Sequence, residues 1–131
     1  MAPITPPPIA PALWLLRFEG LAVAAGSAFF FYRSGASWWL FALLWLTPDL
    51  GMLGYLAGPR WGARCYNSVH TYLGPAALAA FALALPFPNV LPWALIWFNH
   101  IGVDRLLGYG FKSPEAFKIT HLSPPRPISG N

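Results

Sequence analysis

Four long apolar runs dominate the chain, at 13–32, 38–57, 66–85 and 90–109, with short polar, glycine- or proline-containing breaks between them. Each run approaches the roughly 20 residues needed to cross a bilayer. Backbone groups in hydrocarbon must be satisfied within their own segment, so each run is predicted to be a helix. The expected fold is all-α, an integral-membrane four-helix bundle. The breaks "RSGAS", "GPRWGAR" and "PFPN" are short enough that successive helices run antiparallel as neighbours.

Composition strengthens this picture. Over 131 residues the chain is 56% hydrophobic and 9% charged, against roughly one-quarter charged for a soluble domain. The length suits a single domain spanning 1–131, and no linker or internal repeat divides it. A cleaved signal peptide would carry positive charge ahead of its apolar run; "MAPITPPPIAPA" carries none, so the first run is read as a helix. That proline-rich start is expected to lie extended on the surface, and "SPPRPISGN" to form a loose tail. The single cysteine, Cys65, excludes an internal disulfide.

Charge then orients the bundle. Antiparallel helices put both termini and the "GPRWGAR" loop on one side, which holds Arg60, Arg64, Lys112, Lys118 and Arg126; the other side has Arg33. By the positive-inside rule the termini are cytoplasmic. The net charge of +4 suits anionic lipid headgroups, and a nucleic-acid partner has no support.

Against this apolar background the polar residues share one depth. Glu19, Asp49, Asn67, His70, His100 and Asp104 all fall in a band roughly 6–15 Å inside the cytoplasmic boundary, at 1.5 Å of rise per residue. His100 and Asp104, four apart, share one stripe of their helix, as do Asn67, His70 and Thr71. Arg17 lies about 200° from Glu19, so an inward Glu19 sends Arg17 outward to the headgroups. An ionisable group facing lipid costs about 2.5–3.5 kcal/mol on insertion scales, which favours convergence in the interior. Glu19, Asp49, His70, His100 and Asp104 are therefore the expected catalytic groups. Asp49, His70, His100 and Asp104 are the expected ligands of a divalent metal such as zinc.

Around this cluster Pro48 should kink the second helix and free the Leu44 carbonyl. Gly51, Gly54 and Gly58 should allow close helix approach, and Gly74 and Pro75 should bend the third helix beyond His70. Of the seven tryptophans, most suit the interface, and Trp45, one turn before Asp49, is placed to line a pocket. Arg105 lies nearer the surface than Asp104, suited to a lipid phosphate or a neighbouring helix end. The stretch 111–122 is expected to be an interfacial segment, with Ser113 as helix cap and His121 on the cluster's side.

The phrases "LRFEGLAV", "PDLGMLGYLAGPRWGARCYNSVHTY" and "HIGVDRLLGYGFKSPEAFKITHL" resemble the small bacterial membrane proteins grouped as domain of unknown function 4260. The likeness runs from about Leu15 to Leu122. It implies that Glu19, Asp49, Gly54, Tyr55, Asn67, His70, His100, Asp104, Tyr109 and the "THL" at 120–122 belong to family motifs, and it implies no reaction. With it, Trp45, Tyr55, Asn67, Arg105 and Tyr109 complete the expected substrate-contacting set, and the bacterial inner membrane is the expected location, with multiple passes.

Three function classes follow. The first is a membrane-embedded enzyme acting on a lipid or other apolar substrate, by metal-dependent hydrolysis or by acid–base isomerisation. The second is a protein that binds or transports a proton, ion or small ligand. The third is an accessory subunit of a larger membrane complex, carrying haem or pigment on His70 and His100. A homo-oligomer is compatible with each. The first is favoured, because carboxylates at the depth of the histidines suit a metal or proton-transfer site better than a haem.

Overall fold

The computed structural model describes residues 10–112. The proline-rich start, the tail, most of the expected interfacial segment, His121 and the "THL" triplet lie outside them. The described residues form helices α1 (Ala10–Ser34), α2 (Trp38–Leu44), a 3-10 helix (Thr47–Ala57), α3 (Pro59–Val69), α4 (Leu73–Ala84), a short 3-10 turn (Pro88–Val90) and α5 (Leu91–Leu107). There is no strand among them. Two stretches, Ala12–Ser34 and Trp38–Ala57, are long and apolar enough to cross a membrane.

The expected second run is α-helical to Leu44 and then tightens into a 3-10 helix. Pro48 has no N–H for the Leu44 carbonyl, and the Thr47 hydroxyl donates to that oxygen instead. In a three-residue-per-turn helix, positions three apart eclipse, which puts Pro48, Gly51 and Gly54 on one face. That face lies on α3. A Cβ on Gly51 would stand 2.8 Å from a Val69 methyl, and one on Gly54 2.8 Å from Cys65 Sγ. Gly58, at φ +113°, then turns the chain sharply into α3, in a conformation only glycine adopts easily.

The expected third run is two helices rather than one bent helix. Its start also lies earlier, with Pro59 opening α3. Pro75 cannot donate to the carbonyl four residues back and its ring would collide with that turn, so α3 stops at Val69 and α4 begins at Leu73. His70 sits at the break with φ −105° and ψ 18°. The expected fourth run becomes α5, ended by Gly108 in the left-handed conformation at φ +91°.

Helix α5 is central, packing against α1, α2 and α4. Its contact with α1 is backbone to backbone: a Cβ on Gly102 would lie 2.7 Å from the Ala24 nitrogen, and one on Gly20 2.7 Å from the Gly102 oxygen. Phe31, Ile96 and Ile101 fill the interior between these helices, while Trp39, Leu43, Leu46, Leu50, Leu53 and Leu56 stay exposed along the second run.

Candidate functional site

Two of the breaks just described, together with α5, bring four side chains to one point. Asp49 comes from the 3-10 helix behind Pro48, His70 from the gap between α3 and α4, and His100 and Asp104 from one stripe of α5. The Nε2 atoms of His70 and His100 are 3.2 Å apart. Each lies 3.3 Å from Asp49 Oδ1 and 3.4 Å from Asp104 Oδ2. The donor atoms of the four residues all lie within 4.8 Å of one another.

Those spacings carry chemical meaning. Ligand atoms about 2.0–2.1 Å from a tetrahedral ion stand about 3.3–3.4 Å from each other. The two imidazoles are fully buried, whereas the side chains of Asp49 and Asp104 retain 33% and 14% exposure, so the centre opens on the carboxylate side. His70 Nδ1 is 2.9 Å from the Tyr66 carbonyl oxygen. A carbonyl only accepts, so in the neutral ring Nδ1 holds the proton and Nε2 turns its lone pair to the centre. His100 Nδ1 is buried with no partner among the described residues, so that ring can carry its proton on either nitrogen. With the proton on Nδ1, four acceptor atoms face one centre, an arrangement that suits a cation; with it on Nε2, His100 donates to its neighbours there. A haem bridged by the two histidines does not fit. Imidazoles on opposite faces of one iron stand about 4 Å apart, and 3.2 Å leaves no space for the macrocycle.

The supporting groups are mostly ones the sequence did not single out. The Tyr66 ring stacks on His70 at 3.6 Å between centroids, and its hydroxyl donates to Asp104 Oδ2 at 3.4 Å. Asn99 donates to the Ala24 carbonyl at 2.8 Å and to Ser27 Oγ at 3.2 Å, and it accepts from the Trp45 indole at 2.9 Å. Trp45 in turn sets its ring edge-on to His100, 4.8 Å away. Asn99 was legible in principle, being a polar residue at the same depth as His100. Tyr66 was legible as the residue one turn before His70.

Several expected site residues lie elsewhere. Glu19 is exposed on α1 and outside the four-residue group, because the α1 face turned to α5 is set by the close approach of Gly20, Ala24 and Gly102. Arg17, expected to reach outward, donates from Nε to the Leu106 carbonyl at 2.7 Å, where a cation complements the end of α5. Asn67 pairs with the Lys112 backbone, donating to its carbonyl at 3.0 Å and accepting from its N–H at 2.7 Å. Arg105 is buried rather than near the surface. It donates to the His70 carbonyl and to the Tyr109 carbonyl, each at 2.9 Å, so it clamps the α3 break. The Tyr109 side chain is exposed. Tyr55 packs its ring over Gly62, where a Cβ would come within 2.1 Å. Lys112 sets its ammonium 4.6 Å above the Tyr66 ring, and burial lowers its pKa from the ordinary lysine value.

A family model described as domain of unknown function (DUF4260) matches residues 13–124. No curated protein and no solved structure matches the chain.

Proposed function

We propose that this chain, which belongs to the DUF4260 family, is a multi-pass enzyme of the bacterial inner membrane. In this reading Asp49, His70, His100 and Asp104 hold a divalent cation such as zinc, and the centre acts on a lipid or other apolar substrate. The observation that carries the reading is the set of 3.2–3.4 Å spacings of the two imidazole Nε2 atoms from each other and from both carboxylates. Membrane insertion is supported by the two spanning-length stretches and by the exposed tryptophans, leucines and phenylalanines along them, more apolar surface than a soluble monomer usually shows. The positive-inside distribution supports cytoplasmic termini and a centre within reach of the cytoplasmic leaflet.

A divalent ion in the centre would polarise a carbonyl or phosphoryl oxygen of the substrate. The chain's own residues would do the rest. His70 is held by the Tyr66 carbonyl and ring, and the His100 ring packs on the Trp45 indole, itself anchored by Asn99, so both rings stand in place at the centre. Asp49, the most exposed member, is the ligand that would yield the fourth position a catalytic centre keeps open, and its carboxylate is then the one best placed to take or return a proton at the substrate.

The test is a pair of substitutions. His100→Ala and Asp104→Asn should leave a folded, detergent-stable protein that has lost its bound ion, because asparagine keeps the size and hydrogen-bonding capacity of aspartate but is a poor ligand and no base. An ion-free parent in which Asp104→Asn is silent and His100→Ala lowers the melting temperature would instead mark the cluster as a packing clamp.

A further inference from the structure

Beside the centre lies a cavity of about 340 Å³, within the range of small-ligand sites. Its walls are Leu44, Pro48, Val69, Leu78, Trp93 and Trp97, with Thr47 and Ile96 completing it. Chain continuity ties it to the ligands. Pro48 precedes Asp49, Val69 precedes His70, and Ile96 and Trp97 are one turn before His100 on α5. Along the chain the cavity wall therefore lies within about one helical turn of Asp49, His70 and His100.

Its lining offers little to a polar ligand. The Thr47 hydroxyl donates to the Leu44 carbonyl, and the Trp97 indole N–H donates to the Val69 carbonyl at 2.7 Å. A polar group entering here would lose its hydration with few partners in return. The wall is also fixed in shape. Besides its hydrogen bond, Trp97 lies against Gly74, where a Cβ would stand 2.5 Å from the indole.

We propose that this cavity seats one unbranched alkyl chain of a single-chain amphiphile, whose polar end then reaches the centre at Asp49. The second half of that statement rests on the cation-centre reading; occupancy of the cavity does not. Leu78 on α4 is a wall residue outside the four-residue group, and Leu78→Trp would occupy the space while leaving the four ligands unchanged.

The experiment uses full-length protein in phosphatidylcholine nanodiscs, photolabelled with straight-chain carboxylic acids from octanoic to palmitic that carry a terminal diazirine. Label should map to the buried wall residues Pro48 and Ile96 or to Trp97 and saturate at low probe concentration. Because the probe is already in hydrocarbon, wall labelling at equal mole fraction in the bilayer should change little with chain length until the chain outgrows the cavity, and then fall. Leu78→Trp should lose those labels, keep any label on the outward Leu43 and Leu83, and keep the ion content of the parent. Leu44→Phe, which narrows the cavity at another lining residue, gives the same readout should Leu78→Trp not fold. Label confined to outward residues, wall label unchanged by both variants, or a wall already closed to the probe by bulk phospholipid tails would each overturn the proposal. An ion-free protein whose wall label is abolished by Leu78→Trp would keep the chain site and remove the cation reading. An ion-loaded protein with an unlabelled wall would do the reverse.

Discussion

Replacing Arg105 distinguishes a clamp on the α3 break from a contact with substrate or lipid phosphate. In Arg105→Leu the carbonyls of His70 and Tyr109 lose their 2.9 Å partners. A hydrogen bond from a charged donor contributes about 1.5–3 kcal/mol; two such bonds, less the relief from no longer burying a guanidinium, give a loss of about 2–4 kcal/mol. For a domain of this size that corresponds to a fall in melting temperature on the order of 10 °C. Arg105→Lys keeps the charge but cannot span both carbonyls, and should lose about half as much. Because the His70 carbonyl anchors the turn that aims the imidazole, cation affinity should fall as well, roughly 10–100-fold as for other supporting groups. Thermal denaturation in detergent, with ion content measured on the same preparations, reads both effects. Unchanged melting of Arg105→Leu together with an unchanged ion content would refute the clamp.

Gly102→Ala should cost about 1–3 kcal/mol, since its Cβ would meet the backbone of α1 at 2.7 Å, whereas Gly26→Ala, with open space around it, should be neutral or stabilising by about 0.5–1 kcal/mol in a thermal-melt comparison. Glu19→Gln should leave ion content unchanged, because Glu19 is exposed and outside the group; loss of the ion would return Glu19 to the site. Single cysteines in a Cys65→Ala background should be labelled by an impermeant reagent from outside the cell in the "PFPN" break but not in "GPRWGAR"; the opposite pattern would reverse the orientation.

The four converging residues were legible because depth and stripe suffice when a polar side chain has no tolerable alternative to the interior. Glu19 shows where that reasoning fails. Depth fixes its height, but rotation of α1 is set by glycine-backbone contacts with α5, and Glu19 is one residue, about 100°, off the buried Gly20. The close approach at Gly51 and Gly54 was readable from residue size; the 3-10 winding that aligns them with Pro48 was not, since a 20-residue apolar run looks the same in either helix. Pro75 did announce a disturbance after His70. Its full consequence, a helix end inside the fold with a free carbonyl, is what draws Arg105 inward, and no property of Arg105 alone foretold that.

The most direct measurement of the cation centre is elemental analysis of the purified, unchelated protein, with X-ray absorption on any metal it contains. The two imidazole nitrogens, 3.2 Å apart and each 3.3–3.4 Å from both carboxylates, predict about one divalent ion per chain, with nitrogen and oxygen neighbours at about 2.0–2.1 Å, lost in Asp104→Asn while the fold persists. A folded parent that contains no stoichiometric metal and takes none up when supplied with zinc would contradict it.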